Sequence, residues 1–299
     1  MADDRRGFAA LSGNLRGAIW MVMGGTSLTL MAVTIREIQD TYSVPQMIFM
    51  RSVVSFFLIL PWVIRAGAVR LRTQRAGLHV FRNVIHYLGN LGWFLGVTLV
   101  PLADLSALQF TVPLFTIVLA ALVLRETVGP HRWTATAIGF VGALVVIRPG
   151  FIQIEVGTMA VILSALFYAA SQVSTKSLSR TDSPTVILFY MTVVFIPVSA
   201  VPAAFDWVTP AWADMAPIAL LGVFGVLAHA FIIRAFAAAD ASFVMPFDFM
   251  RLPISAAFGF VLYLEQPDIW VWVGAAIIFG ATWYITWREG RQRGEKAGT

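Results

Sequence analysis

The chain has 299 residues, of which 59% are hydrophobic and 12% charged, with a mean hydropathy of +0.79 and a formal charge of +5. So apolar a composition exceeds what a soluble domain of this length can bury, and it indicates an integral membrane protein. Cysteine is absent, which excludes a disulfide framework, a thiolate catalyst and a cysteine metal site.

Apolar runs long enough to cross a bilayer as helices occur ten times along the chain, since such a helix needs roughly 20 residues. In chain order, the predicted spans lie at about residues 15–35, 44–64, 76–98, 102–123, 131–147, 155–178, 184–204, 212–236, 241–263 and 268–288. We therefore predict an all-α integral membrane protein with ten transmembrane helices.

Lysine and arginine residues divide unevenly between the two faces that ten spans define. One face collects most of them, whereas the other holds only Arg36 and Arg148. Because positively charged loops stay in the cytoplasm, we expect a multi-pass protein of the inner (plasma) membrane with both termini cytoplasmic. The basic face predicts anionic lipid headgroups as neighbours and no nucleic acid.

An internal repeat divides the chain into two similar halves, about 14–150 and 155–290. The stretch ADLSALQFTVPLFTIVLAALVLRE, residues 103–126, returns more weakly at residues 239–265, and Trp93 aligns with His229. Each half contains five spans, an odd number, so the second half enters the membrane in the opposite orientation. Two inverted-topology repeats are the architecture of many secondary transporters.

Residues 103–126, followed by GFVGALVVIRPG at 139–150, resemble the drug/metabolite transporter superfamily, in particular its ten-helix exporters built from two EamA-type repeats. The resemblance covers nearly the whole chain and is greatest to bacterial exporters of aromatic and other neutral amino acids. It implies a secondary transporter that exports small metabolites, most of all amino acids, across the inner membrane by alternating access. The alternative is a carrier, in either direction, of another small metabolite such as a purine nucleoside, a cofactor or a drug.

The third span carries a polar stripe on one face, with steps of three and four residues. Its members are His79, Asn83, His86, Asn90 and Trp93. Unpaired polar groups are unfavourable in hydrocarbon, so this face must contact other helices or a wet cavity. We expect the first two, near the cytoplasmic end, to form interhelical hydrogen bonds, and the last three, at mid-membrane depth, to bind substrate. Three glycines on this span indicate close helix packing.

Further candidates for the substrate site lie on three other spans. Trp20 and Ser27 share a face of the first span, Tyr168 and Gln172 lie on the sixth, and His229 lies on the eighth. Aromatic rings together with scattered hydroxyl and amide groups suit an amphipathic small molecule. Anchoring at the membrane interface is the alternative role for Trp20.

Several ionisable residues lie within spans, where a charge is usually functional. Asp248 and Arg251 are three residues apart in the ninth span. They form either a mutual ion pair or contacts with a substrate ammonium, a coupling proton and a carboxylate. We expect Arg51, Arg82 and Arg234 to extend towards lipid headgroups.

Prolines interrupt two of the spans, with Pro113 in the fourth and both Pro246 and Pro253 in the ninth. Each removes a backbone hydrogen bond, which frees a carbonyl for a ligand or for a bending motion, so we predict hinges or gates there. Glu126 and Glu265, at opposite membrane faces, are predicted to be caps or gate contacts.

No motif in the sequence indicates catalysis. The chain lacks an HExxH metal motif, a GxSxG nucleophile elbow and a phosphate-binding GxxxxGK[ST] loop. We therefore predict no catalytic residue, metal, cofactor or required ATPase subunit. A membrane enzyme using His86, His229 and Asp248 is the remaining alternative, and the oligomeric state is not encoded.

Overall fold

The computed structural model describes residues 11–66, 73–123, 130–148, 155–178, 181–182, 184–238 and 245–297, and every regular element among them is helical. The eleven described α-helices are α1 (Gly13–Ile38), α2 (Val44–Ala66), α3 (Ala76–Leu99), α4 (Leu102–Gln109), α5 (Val112–Val123), α6 (Pro130–Ile147), α7 (Val156–Leu178), α8 (Pro184–Ala203), α9 (Met215–Ala238), α10 (Arg251–Tyr263) and α11 (Ile269–Ala297). Two 3₁₀ helices, Trp212–Asp214 and Met245–Met250, precede α9 and α10. These helices account for the predicted spans.

Length and hydropathy alone identify five of the described segments as membrane spans. They are Gly13–Ile38, Val44–Pro61, Leu102–Val123, Val156–Thr175 and Trp212–Ala235. Helix α3 falls outside this set although it has 24 residues. Its polar stripe lowers its mean hydropathy, as expected of a helix whose polar face meets protein rather than lipid.

The fourth span is divided into two helices at Phe110 and Thr111. Pro113 cannot donate a hydrogen bond to the carbonyl of Gln109, and α4 ends at Gln109. At the end of α4, the N–H of Phe110 donates to the carbonyl of Ala107, three residues back, at 3.2 Å, in a tighter turn than that of an α-helix. The proline therefore interrupts the span, as its position predicts.

The ninth span is irregular in a different way, because it begins as the 3₁₀ helix Met245–Met250, which contains Pro246. Pro253 lies in the first turn of α10, where a proline is tolerated since its missing donor has no helical partner there. The two irregular segments meet: the rings of Phe110 and Phe249 stack with centroids 4.0 Å apart.

Helices of the first half pack mainly against helices of the second half. The pairs are α1 with α9, α3 with α7, α6 with α11, and α2 with α8. If the halves are exchanged, so that α1 corresponds to α7 and α3 to α9, the α1–α9 contact becomes the α7–α3 contact. The packing thus has the pseudo-twofold relation expected of the repeat.

Contacts at the helix ends define two faces of the bundle. At the first, Arg36 near the end of α1 donates to the carbonyl of Val97 near the end of α3, at 2.9 Å, and Gly157 near the start of α7 lies against Leu99. At the second, Arg75 donates to the carbonyl of Ser177, near the end of α7, and Thr73 donates to the carboxylate of Asp182, in the loop after α7, both at 2.7 Å. We call these the Arg36 face and the Asp182 face. Helix α1 ends, and its equivalent α7 begins, at the Arg36 face, so the two run in opposite directions.

Glycines bring α3 and α7 into close contact, as their spacing predicts. A Cβ atom at Gly92 would lie 2.6 Å from the carbonyl oxygen of Ala160, and one at Gly96 would overlap Val161. Small residues let helix backbones approach closely, and van der Waals packing then stabilises the pair. This contact fixes the position of the polar stripe on α3.

Candidate functional site

A cavity lies between α1, α3, α4 and α10, and thus between the two halves. Its volume is about 10 Å³, which is room for about one water molecule. Its lining comprises the apolar residues Leu28, Ala32, Trp93, Leu102 and Leu105, and the polar residues Thr29, Ser106, Gln109, Arg251 and Ser255. A mostly apolar wall with a few convergent polar groups is typical of small-molecule sites.

Three hydroxyl groups from three helices meet at this cavity. Ser106 on α4 donates to Ser255 on α10 at 2.9 Å, and Thr29 on α1 lies 2.9 Å from the same Ser255 oxygen. Nearby, the amide of Gln109 donates to Ser164 on α7 at 3.4 Å. Hydroxyls both donate and accept, so the cluster is suited to neutral polar groups of a ligand.

Arg251 lies at the same cavity and pairs with Asp248, with 3.6 Å between the guanidinium and carboxylate groups. Its guanidinium also lies 5.2 Å from the ring centroid of Phe110, in the break of the fourth span. Two roles were expected for Asp248 and Arg251, and the structure contains the first of them, the mutual ion pair.

A second polar group surrounds Arg51 on α2. This side chain is buried, and its Nη2 donates to Oδ1 of Asn90 at 3.0 Å. The rings of Phe94 and Phe195 lie 5.7 and 5.9 Å from its guanidinium carbon. The expectation that Arg51 extends to lipid headgroups is wrong, because these partners hold it inside the bundle.

Arg82 is buried as well, and the same expectation is wrong for it. Its Nε donates to Thr175 on α7 at 3.0 Å, and its Nη1 donates to Asn83 at 2.7 Å. Arg234 by contrast is exposed near the end of α9, with its guanidinium 5.2 Å from the ring centroid of Trp20. Only Arg234 therefore fits the predicted placement at the membrane surface.

The residues predicted at mid-membrane depth gather around Arg51. The ring of His86 lies 5.0 Å from that of Tyr168 and 5.5 Å from that of Phe195. His229 on α9 is hydrogen-bonded through Nδ1 to the carbonyl of Gly225, at 2.9 Å. A Cβ atom at Gly225 would lie 3.5 Å from Nη1 of Arg51. The structure thus brings together His86, Asn90, Tyr168 and His229, with Trp93 one helical turn further, at the first cavity.

Three predicted site residues join neither group. Trp20 stacks on Phe231 at 5.3 Å in the contact between α1 and α9. Ser27 donates to the carbonyl of Met23 within α1, and Gln172 is exposed and accepts a hydrogen bond from Thr116 at 3.4 Å. A place on the same helix face as a cavity residue is therefore not enough to predict a place in the site, because one helix face contacts more than one neighbouring helix.

The structure also assigns polar residues to the cavity that the sequence did not single out, namely Thr29, Ser106, Gln109 and Ser255. Ser106 and Gln109 are three residues apart on α4, the same spacing that identified the stripe on α3. Applied to the fourth span, that criterion would have found them.

At the Asp182 face, the carboxylate of Asp182 joins α3 to the loop after α7. It accepts hydrogen bonds from Thr73 at 2.7 Å and lies 2.8 Å from Nε2 of His79. Burial opposes ionisation of this carboxyl, but those two hydrogen bonds and the charges of His79 and Arg75 outweigh it and lower the pKa of Asp182. His79 accordingly has the interhelical role that was expected, because its contact with Asp182 joins α3 to the loop after α7 at this face.

At the Arg36 face, Glu265 pairs with Arg36 and accepts from the backbone N–H of Leu102 at 2.9 Å. It therefore caps the N-terminus of α4, as expected for a cap or gate contact. Glu126, predicted to play the equivalent role in the first half, lies outside the described residues. Within the described part of the chain, no group of three His, Asp or Glu residues is arranged to hold a metal ion.

Two helical halves that meet around a small cavity, with a mostly apolar wall and a few polar groups, are typical of a membrane transporter of small molecules. The profile of the EamA-like transporter family matches residues 15–148 and again residues 155–287. The chain belongs to this family, and it carries two EamA repeats. The resemblance to the drug/metabolite transporter superfamily and the predicted helical, two-repeat membrane fold are thereby confirmed.

Relatives with named substrates match over almost the full chain. A riboflavin transporter of Rhizobium johnstonii is 34% identical over 284 residues, which cover 94% of each chain. An S-adenosylmethionine uptake transporter of Rickettsia prowazekii is 29% identical over 96% of this chain and 98% of its own. A pseudopaline exporter of Pseudomonas aeruginosa is 27% identical over 88% and 93%. These names do not support the expected export of amino acids.

One solved crystal structure has a similar fold, with a TM-score of 0.63 at 14% sequence identity over 94% of this chain and 98% of the other. A likeness at that identity shows the fold alone. The named relatives are all transporters, in agreement with a protein that is not an enzyme.

Proposed function

We propose that the protein is a secondary transporter of the inner membrane that carries a small heteroaromatic metabolite of the cofactor class, with riboflavin as the leading substrate. The similarity to named riboflavin transporters, over 94% of this chain in two of them, supports this class over amino acids. The expectation of an amino-acid substrate came from the resemblance to the drug/metabolite transporter superfamily, and transporters of many different substrates share that fold.

The observation that carries the proposal is the composition of the central cavity. Trp93 offers a flat ring, and Thr29, Ser106 and Ser255 offer neutral hydroxyls beside it. Riboflavin has a flat tricyclic ring with an amide-like edge and a neutral polyol chain, so each part has a complementary wall. The chemistry of the lining therefore suits both the ring and the polyol chain of riboflavin.

S-Adenosylmethionine is the second candidate, and the cavity favours riboflavin over it. The sulfonium and ammonium groups of that ligand call for carboxylates, yet the described cavity lining contains no Asp or Glu and has a cation, Arg251. Asp248 is close to the cavity but is paired with Arg251. A cationic ligand would therefore find no free carboxylate among the described lining residues, whereas a neutral flavin needs none.

The cavity is narrower than typical ligand sites, which occupy about 300–1,000 Å³. Substrate entry thus requires helices to separate, as alternating access supplies. We infer that the break at Phe110, beside Pro113, and the 3₁₀ helix with Pro246, followed by Pro253, act as the hinges of the fourth and ninth spans. Both border the cavity through α4 and α10.

The orientation follows from the charge distribution. We infer that the Asp182 face, next to most of the Lys and Arg residues, is cytoplasmic together with both termini, and that the Arg36 face is periplasmic. An alternating-access carrier works in both directions, so the gradient of the substrate, or of a coupled ion, sets the direction of net transport.

Growth of a riboflavin-auxotrophic bacterium that lacks its own flavin uptake tests the proposal. Expression of the wild-type chain is expected to restore growth at low external riboflavin, whereas Trp93→Ala at equal membrane abundance is not. Radiolabelled S-adenosylmethionine is offered to the same cells. If the cells take up S-adenosylmethionine but riboflavin does not restore their growth, S-adenosylmethionine becomes the proposed substrate.

A further inference from the structure

Arg51 is a cation inside the membrane domain without a described counter-ion. Only 6% of its surface is exposed, and its buried Nε atom has no hydrogen-bond partner. Its one described side-chain hydrogen bond is to the neutral amide of Asn90. An unpaired charge is strongly disfavoured in such surroundings, and ionisable groups of this kind mark ligand or ion paths.

In the described part of the chain, the surroundings of Arg51 add a second arginine and no carboxylate paired with either arginine. Arg82, 8% exposed, donates to two neutral groups among the described residues, Thr175 and Asn83. His86, one turn from Arg82 on α3, lies against Phe195, a ring that also flanks Arg51. Among the described residues, the ion pairs at 4 Å or less involve neither Arg51 nor Arg82.

We propose that Arg51 is the centre of a binding site for an oxyanion, a carboxylate or phosphate, carried by the transported molecule. This inference rests on the proposed function where it concerns flavins, and it extends the ligand from riboflavin to its phosphorylated form, flavin mononucleotide. The guanidinium donates a pair of parallel hydrogen bonds to such a group, and the buried location strengthens them.

The walls of the site favour an organic anion over a free inorganic ion. Phe94 and Phe195 flank the guanidinium, and Tyr168 stands against His86. A hydrated inorganic ion gains little from aromatic walls, whereas an anion attached to a flat ring contacts both the cation and the rings. Asn90, which binds Arg51, is one turn from Trp93 on α3, so one extended ligand can reach both groups.

A purely structural role for Arg51 makes a different prediction. If Asn90 and the two rings fully satisfy the guanidinium, its removal weakens the bundle and lowers the binding of neutral and anionic ligands alike. An anion site instead makes the ratio of the two affinities depend on Arg51. The comparison of ligands that differ only by a phosphate therefore separates the two roles.

The experiment measures quenching of flavin fluorescence by purified full-length protein in lipid nanodiscs. Riboflavin and flavin mononucleotide share one ring and differ by the phosphate. Wild type is expected to bind the phosphorylated form about tenfold more tightly, the amount that one charge-assisted hydrogen bond supplies. The ratio is expected to fall to about one in Arg51→Gln, to survive in part in Arg51→Lys, and to persist in the control Arg234→Gln, which changes an exposed arginine outside the site.

Equal affinities in wild type, or a ratio that survives Arg51→Gln, would overturn the proposal. Inorganic phosphate tests whether the site binds a free ion instead. If phosphate stabilises the protein through Arg51 without weakening the binding of flavin mononucleotide, the site holds a free ion, and the proposal that the anion belongs to the transported molecule is wrong. If neither flavin binds, the flavin assignment fails, and thermal unfolding with adenosine or adenosine monophosphate decides the anion site. Greater stabilisation by the monophosphate that is lost in Arg51→Gln would uphold it, and equal stabilisation would overturn it.

Discussion

Arg36 on α1 forms an ion pair with Glu265, two residues beyond the end of α10, and so joins the two halves of the protein at one face. Arg36 also donates to the carbonyls of Val97 and Val100, and Glu265 accepts from the N–H of Leu102. The pair therefore fixes the ends of α1, α3, α4 and α10, the four helices around the cavity. We infer that it holds the cavity closed towards the Arg36 face.

Replacing Glu265 with Gln is expected to open that face. Loss of a charge-assisted contact of about 1.5–3 kcal/mol would raise the open population about tenfold or more. The native chain has no cysteine, so a single Ser106→Cys in the cavity wall reports access without background. Its rate of maleimide labelling should rise by that factor in Glu265→Gln.

The matched control for this gate is Asp268→Asn, which removes the more exposed pair with Arg148 at the same face. Exposed ion pairs contribute little, so labelling of Ser106→Cys should stay close to that of the parent. An unchanged labelling rate in Glu265→Gln, or an equal increase in both variants, would show that the Arg36–Glu265 pair is not the gate.

Replacing Trp93 with Ala is expected to weaken substrate binding by about tenfold, because a stacked aromatic ring contributes about 1–3 kcal/mol. Trp93→Phe should retain much of the affinity. Trp270, half-exposed on α11 and not among the lining residues, provides the control Trp270→Ala. Alanine at His86 or Tyr168 should also lower transport while the protein stays folded. Normal transport by all three alanine variants, at Trp93, His86 and Tyr168, would place the site elsewhere.

Gly92→Ala is expected to lower the free energy of unfolding by about 1–3 kcal/mol, because the added Cβ would lie 2.6 Å from a backbone oxygen of α7. Gly280→Ala on α11 is the control: nothing lies within 4 Å of a Cβ there, so this change should leave the stability unaltered or raise it by about 0.5–1 kcal/mol. Thermal unfolding in detergent measures both. A neutral Gly92→Ala would mean that α3 and α7 separate easily.

Acidification is expected to loosen the Asp182 face. The pKa of Asp182 is lowered on folding from its ordinary value of 3.8, so its carboxylate stabilises the folded state fully above that pH. The stabilisation is lost as the pH falls below 3.8 and through the lower folded pKa. Thermal unfolding of wild type and Asp182→Asn should therefore differ at pH 6 and converge as the pH falls. A constant difference across that range would contradict the assignment.

The helical architecture could be predicted from sequence because bilayer thickness fixes the length of an apolar helix. The predicted span at about 76–98 and helix α3 (Ala76–Leu99) nearly coincide for this reason. The last helix, α11, runs to Ala297, well past the predicted end at about 288, because a polar segment can continue a helix beyond the hydrocarbon. The end of an apolar run therefore predicts where the chain leaves the hydrocarbon and does not predict where the helix ends.

The site was only partly predictable, since helical spacing identifies a face but not its neighbour. His86, Asn90 and Trp93 share a stripe, and the structure turns the first two towards Arg51 and the last towards the central cavity. The burial of Arg51 and Arg82 depends on partners from other helices, which no local pattern reveals. Substrate identity is harder still, because it depends on a few side chains within a shared scaffold.

Uptake of radiolabelled riboflavin by the purified protein in liposomes is the most direct test of the proposed transport. We expect saturable uptake that excess unlabelled riboflavin abolishes, that exceeds the uptake of labelled neutral amino acids and S-adenosylmethionine, and that Trp93→Ala reduces about tenfold at equal reconstitution. Riboflavin entry no faster than into protein-free liposomes, with correctly folded wild-type protein in the membrane, would contradict riboflavin transport by this chain.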